Sequence, residues 1–475
     1  MLPEAESRER FMSTQTTIGS FGPVSNLEEG QSGDSRLSDF LRHLARLLDE
    51  SGTRYCVLHS WQDLPEGLSS DLDIAVHPDD RNRLAVAIRC LGKFGFSPIQ
   101  LINHNVNGNY FVFCWHSGGK LHTAAVDVIF EHRRGGLIAD GGAELTAARE
   151  RYGDFRVASP SAELSYLLLK QAVKGKVKPK QAVRIRELVV SLGRERAEQI
   201  ARKAFSVTQS RMIISACLDG TLPEILLQMR RASWVMGVTR KPINLLRYLA
   251  GDTKRLVRRW KRPNGIFVAI LGPDGVGKSS AIGGLHGQIG GAFWGERYFH
   301  LRPQFFVPRK PAPPVTDPHA KPPRGKLASS LRLTALLADY CLGYAFQLRQ
   351  LKPRSHLLVF DRYFFDVLVD PKRFRFGGPM WLARLYARLV PSPDLVLVLD
   401  VDVEIMLARK SELDRAELIR QREAYRRLSV KGSRVSVINT SGTPEEVAYQ
   451  VAAKIAEFMS QRFMAMHPEW MAANP

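Results

Sequence analysis

Gly272-Pro273-Asp274-Gly275-Val276-Gly277-Lys278-Ser279 fits G-x-x-x-x-G-K-[ST], the pattern of a phosphate-binding loop. The apolar run Ile266-Phe-Val-Ala-Ile-Leu271 leads into it as a buried parallel strand would, and a small-residue, helix-compatible stretch follows from Ser279. Glycines let such a turn close tightly, so that successive N–H groups point at phosphate oxygens. The start of the following helix adds partial positive charge. Lys278 is placed to reach β- and γ-phosphates and the Ser279 hydroxyl to ligate Mg²⁺, with Gly272, Asp274, Gly275, Gly277 and Ser280 completing the cradle.

Downstream, His356-Leu-Leu-Val-Phe360-Asp361 is an apolar strand ending in a carboxylate, the Walker B arrangement that sets an acid beside the loop to orient Mg²⁺. Arg362 follows directly and is a candidate for a substrate phosphate. Further strands are expected at 297–302, 393–400 and 435–439, a helix over 327–351, and a last helix opened by Thr443-Pro-Glu-Glu446. Strands alternating with helices predict a parallel sheet with helices on both faces. The Pro-, Lys- and Arg-rich stretch 303–325 predicts an irregular insert, either a loop near the site or a surface excursion.

The 475 residues imply two or three domains. The five scattered cysteines show no metal spacing and predict a reduced, cytoplasmic protein. The polar N-terminus carries no signal core, and no apolar run reaches the length of a membrane span. A formal charge of +21 favours anionic partners without choosing among them. The predicted organisation is a disordered tail at 1–36, an α+β domain at 37–205, a basic helical linker at 206–262, the phosphate-loop α/β domain at 263–465 and a tail at 466–475.

In the linker, Leu246, Leu249, Thr253, Leu256 and Trp260 recur three and four apart, so one helix face is apolar and the other cationic. The face could pack on the neighbouring domain or lie on an anionic membrane surface. Nucleic acid is not expected, since no recognised fold or aromatic platform accompanies the charge. Oligomeric state is not legible.

In the first half, Asp71 and Asp73 stand two apart, so on a strand both emerge from one face. Asp127 interrupts another apolar strand, where a lone carboxylate is costly without a cation or partner. Three carboxylates brought together make a hard-cation site suited to Mg²⁺; the plainer alternative makes Asp71 a turn cap and Asp127 an edge residue.

Ser69-Ser-Asp71-Leu-Asp73-Ile-Ala-Val76 resembles the S-D-x-D signature of the nucleotidyltransferase superfamily, with Asp127 as the third carboxylate and a helix from Ser159 carrying Lys170. Where that family has Gly-Ser, this chain has His59-Ser60. The second half resembles thymidylate kinases through the phosphate loop, Asp361-Arg362-Tyr363, Pro393-Asp394 with Leu399-Asp400, a lid-like Arg409-Lys410 and Asn439-Thr-Ser-Gly-Thr-Pro-Glu-Glu446. That resemblance implies ATP and Mg²⁺, Arg362 on the acceptor phosphate, and Arg409, Lys410 or Arg415 on the transferring group. Three departures bear on the acceptor. Leu271 stands where the family has Glu, only Arg302-Pro303 remains of its Arg-Glu-Pro, and the segment Phe364–Gly377 mixes aromatics, acids and three cations. The expected function is an ATP-dependent phosphotransferase acting on a small phosphorylated acceptor. The alternatives are nucleotidyl transfer through Asp71, Asp73 and Asp127, or an ATP-gated binding protein.

Overall fold

The computed structural model describes residues 35–68, 70–239, 242–306, 319–410, 413–428, 430 and 432–471. Most of the expected N-terminal tail, Ser69 of the acidic motif and the middle of the 303–325 insert lie outside them.

Among the described residues the first elements are α1 (Ser35–Glu50), which starts two residues before the expected domain edge, β1 (Tyr55–Val57), β2 (Leu72–Val76) and α2 (Arg81–Leu91). Three long strands follow: β3 (Ser97–Asn105), β4 (Gly108–Ser117) and β5 (Lys120–Ile129). A separate ribbon of β6 (Glu131–Arg134) and β7 (Leu137–Gly141) leads through α3 (Gly142–Ala147) to β8 (Glu150–Tyr152) and β9 (Phe155–Val157). The resulting seven-stranded sheet runs β3-β4-β5-β2-β1-β9-β8. Its centre is the parallel pair β2 and β5, whose register sets Asp73 directly beside Asp127.

Five helices follow: α4 (Pro160–Lys174), α5 (Pro179–Leu192), α6 (Arg194–Ala201), α7 (Val207–Asp219) and α8 (Leu222–Thr239). The start of α4 is fixed by Ser159, whose hydroxyl accepts from the Ala162 N–H, and by Pro160 at the first helical position. All five helices contribute to one core, including Ile213, Ile214 and Cys217 of α7 and Leu222, Leu226 and Met229 of α8. The expected linker therefore divides. Its first two helices are part of the N-terminal core because their apolar positions meet α4–α6, and only α9 (Pro242–Lys261) stands apart, with no buried residue.

The second sheet is built from β10 (Ile266–Leu271), β11 (Gly295–His300), β12 (His356–Asp361), β13 (Leu395–Asp400) and β14 (Arg434–Asn439). Its order is β11-β12-β10-β13-β14, every pair parallel. Along β10 the side chains alternate between two cores. Ile266, Val268 and Ile270 meet α10 (Lys278–Ile289) through Ala281, Ile282 and Leu285. Phe267, Ala269 and Leu271 meet the opposite cover, which includes Tyr340 of α11 (Lys326–Gly343). That cover is completed by the short α12 (Asp366–Val369) and by α13 (Met380–Leu389). The remaining helices are α14 (Val403–Arg409), α15 (Arg415–Arg426), α16 (Pro444–Met466) and α17 (Pro468–Met471). This is the expected parallel sheet with helices on both faces, preceded by an α+β region.

The two halves share a core. In β4, Phe111, Phe113 and Trp115 point toward α1, whereas Val112 and Cys114 point into the cluster formed by β10, α10 and α16. Polar contacts pin the same junction: Gln100 Nε2 donates to the Ala292 carbonyl at 2.7 Å, and the Ser355 hydroxyl donates to Gln100 Oε1 at 2.5 Å. The stretch expected as a C-terminal tail also returns to the first half. Trp470 is buried and sits edge-on to Phe111, ring centroids 4.9 Å apart, because an indole of that area gains more from the core than from water.

Candidate functional site

The loop from Gly272 to Gly277 connects β10 to α10 and bends through three glycines of positive φ. At two of them a side chain has no room. A Cβ on Gly272 would lie 2.7 Å from the Leu399 carbonyl oxygen, and one on Gly275 would lie 2.9 Å from that of Met406. The Lys278 ammonium is tucked back, donating to the carbonyls of Gly272 at 2.8 Å and Pro273 at 2.7 Å. Burial lowers its pKa to about 8, with the Arg362 charge adding to the effect. Ser279 and Ser280 are exposed on the first turn of α10.

Asp361 closes β12 next to β10 and β11. Its Oδ2 lies 3.2 Å from His300 Nδ1, and its Oδ1 is buried without a hydrogen-bond partner. Burial works to raise its pKa, yet the His300 hydrogen bond and the Lys278 charge outweigh it and keep the carboxyl ionised. A free lone pair on the buried oxygen of a partly exposed anion, together with an exposed serine hydroxyl and a buried ammonium, is an arrangement that could hold a divalent cation and a phosphate.

Arg362 is buried and held at φ 70°, a left-handed conformation costly for any residue but glycine. Its guanidinium pairs closely with Asp274, which also accepts from Arg373, and lies 3.8 Å from Asp366. Asp274 thus pairs with Arg362, directly after β12, and with Arg373 of the Phe364–Gly377 segment. Burial opposes its ionisation, but Arg362, Lys278 and Arg373 hold its pKa well below the usual range. Asp366 goes the other way: burial raises its pKa, and its Oδ1 accepts from the Tyr425 hydroxyl at 2.8 Å. His319, where the insert rejoins the described chain, lies 2.9 Å from Asp370 and ties that segment to the same side.

Of the lid residues, Arg409 donates to the Thr440 carbonyl at 3.1 Å and flanks Gly277. Arg415 instead pairs with Glu404 at 2.6 Å, on the surface. His300, Tyr425 and Thr440 were not legible as site residues. Each lies in a different part of the chain, and only the sheet order and the packing of α15 bring them to the loop.

In the first half, carboxylate oxygens of Asp71, Asp73 and Asp127 lie within 4.8 Å of one another. Asp71 immediately precedes β2, one residue outside the strand expected to carry it, and its carboxylate still converges with those of Asp73 and Asp127. Asp73 is already engaged. Its Oδ2 lies 2.7 Å from His59 Nε2 and 2.8 Å from Lys170 Nζ, and its Oδ1 accepts from Tyr166 at 3.0 Å. Burial would raise its pKa, but Lys170 and His59 outweigh that and hold it low. Asp127 is the opposite case. Burial, then the charges of Asp73 and Asp71, push it well above the carboxylate range, and its Oδ1 has no hydrogen-bond partner.

A carboxyl whose folded pKa is raised costs stability that grows as pH climbs from the unfolded value near 4 toward the folded one, and costs nothing below both. Asp127→Asn is therefore expected to raise the melting temperature in metal-free buffer near neutral pH, by about 2–4 °C per kcal/mol relieved. The gain should vanish as pH falls toward about 4. Thermal scans of both proteins across pH check this, and Mg²⁺ should stabilise the parent more than the variant if the cluster takes the cation.

No protein-family model matches the chain. A thymidylate kinase from Cereibacter sphaeroides is 27% identical over 222 residues, which span 42% of this chain and 97% of that protein. A probable thymidylate kinase from Pyrobaculum aerophilum is 30% identical over 215 residues, 40% of this chain and 95% of that protein.

Proposed function

The chain belongs to the thymidylate kinase family, and from that premise we propose that its phosphate-loop half transfers the γ-phosphoryl group of ATP to a small phosphorylated acceptor. The observation that carries this reading is the buried Lys278 ammonium held in the glycine loop, with the unpartnered Oδ1 of Asp361 at the end of the neighbouring strand. The residues fit a magnesium nucleotide: Gly272 and Gly275 leave no room for a side chain where backbone N–H groups must approach phosphate, and Asp361 keeps a buried lone pair. Ser279 and Asp361 would hold Mg²⁺, which when bound neutralises charge on the β- and γ-phosphates.

The chain's own groups supply positioning and cations. Lys278 exchanges two carbonyl partners for phosphate oxygens, and the negative charge there restores its proton at pH values where burial has loosened it. Arg409, beside Gly277, is placed for the transferring group. On the far side, Arg362 and Arg373 offer planar forks for an acceptor phosphate, held ready by Asp274. Asp366, whose pKa burial raises, offers a hydrogen-bonding group to an acceptor hydroxyl. Thymidylate is the first candidate acceptor. A phosphorylated sugar is the second, because Leu271 and the Arg302-Pro303 remnant depart from the thymidylate pattern, and Arg302 is held by Asp339 at 3.5 Å.

The test is ADP release from Mg-ATP with thymidylate and then a panel of sugar phosphates. Acceptor-dependent ADP is the expected result, and its dependence on thymidylate assigns the acceptor. Absence of stimulation by every member overturns the proposal. Nucleotidyl transfer is the second reading, favoured by the convergence of Asp71, Asp73 and Asp127. It is weakened by Asp73, whose oxygens already serve Lys170, His59 and Tyr166, so a cation there must displace an ammonium. Pyrophosphate release would mark it.

A further inference from the structure

Helix α9 is mounted inside out. An amphipathic helix normally buries its apolar stripe and shows its charges to water. Here the docked face carries the polar anchors, with Leu245 packed between them against Gly135 and Gly136: Arg255 donates to the Asn103 carbonyl at 2.9 Å, Arg259 to the Pro353 carbonyl at 3.0 Å, and Tyr248 lies under the Arg133 guanidinium. Asp252, the one acid of the helix, is turned inward and paired with Arg255 at 2.7 Å. The stripe of Ile243, Leu246, Leu249, Leu256, Val257 and Trp260 points outward, each residue 46–63% exposed, with Arg349 over the Trp260 ring. Single exposed apolar residues are ordinary, but six on one face of one helix are not.

We propose that this stripe seats the protein on an anionic lipid bilayer surface, with α9 lying in the interface plane. The charge pattern selects the occupant. Exposed Arg247, Lys254, Arg258 and Lys261 flank the stripe, and among the described residues none of them is ion-paired to a carboxylate. A bilayer of anionic lipid offers both halves of the match, acyl chains for the stripe and phosphate groups for its cationic edge. Nucleic acid would satisfy the cations and leave the stripe in water. The association is peripheral, since among the described residues no helix is long and apolar enough to cross a membrane. The preceding helix extends the same character, with Leu227, Trp234 and Val235 exposed beside Arg230 and Arg231.

Flotation of the full chain with vesicles tests this. Vesicles of phosphatidylcholine containing about one third phosphatidylglycerol should carry the protein, and vesicles of phosphatidylcholine alone should carry about tenfold less. The pair Leu249→Ser with Trp260→Ser, and separately Lys254→Gln with Arg258→Gln, should each lower binding to anionic vesicles about tenfold. Melting curves within a few degrees of the parent show that these surface changes leave the fold intact. Failure to float with anionic vesicles overturns the proposal, as does flotation that neither pair weakens. Light scattering that shows a dimer broken by the Leu249→Ser, Trp260→Ser pair also overturns it, and gives the stripe to a second copy of the chain.

Discussion

Lys278→Ala is expected to lower the rate of ADP formation at saturating ATP and acceptor by about 10²–10³-fold, the loss that follows removal of one preorganised electrostatic contact to a transferring group. The same change should not destabilise the fold. Lys278 is a buried cation whose pKa has fallen to about 8, so below that value keeping it charged costs stability. For a base whose folded pKa is depressed, this penalty is complete below the folded pKa and fades as pH rises toward the unfolded value. The variant should therefore melt at or above the parent temperature at pH 7, with the difference shrinking above about pH 8. Activity assays and thermal scans on one preparation separate the two effects. A variant that is inactive because it is unfolded would contradict both expectations.

Arg362→Ala should have the reverse signature, a loss of about 3–5 kcal/mol in stability as well as of activity. The guanidinium is buried, and its removal strands two buried carboxylates. Asp274 keeps only Arg373 as a close arginine partner, and Asp366, whose Oδ2 already lacks a hydrogen-bond partner, loses its nearest cation. The broken ion pairs dominate the loss because the Arg362 backbone stays at φ 70° in the alanine variant, so no strain is relieved. Arg362→Lys should recover little, since a point charge cannot reproduce the fork between Asp274 and Asp366. Adding Asp274→Asn to Arg362→Ala should restore part of the stability and none of the activity. Denaturant titration of the three variants measures these differences.

The phosphate loop, β10 and the Asp361 strand were legible because their signals are local: an apolar run, a glycine turn and a terminal acid, each within a few residues. The shared core was present in the sequence but in a different form. The run Phe111-Val-Phe-Cys-Trp115 has no alternation, the mark of a strand covered on both faces, yet it does not say that α10 and α16 form the second cover. Residues 97–105 escaped as a strand because Pro98 and the polar Asn103-His-Asn105 break the pattern, and their pairing with β4 is itself irregular there. The acceptor side was legible only as a composition, cations and acids after Tyr363. Which acid meets which arginine depends on the distant Asp274 and Tyr425, a matter of tertiary packing with no local signature. The same holds for His59, whose place against Asp73 and Lys170 follows from the β1–β2 pairing and the seat of α4.

The most direct measurement is the identity of the product formed from Mg-ATP. Protein is incubated with ATP and thymidylate or a sugar phosphate, with Lys278→Ala as the blank. Phosphoryl transfer by the second half predicts ADP and a doubly phosphorylated acceptor, both formed about 10²–10³-fold more slowly in the blank. Pyrophosphate in place of ADP, unaffected by Lys278→Ala and abolished by Asp127→Asn, would contradict it and move the chemistry to the first half of the chain.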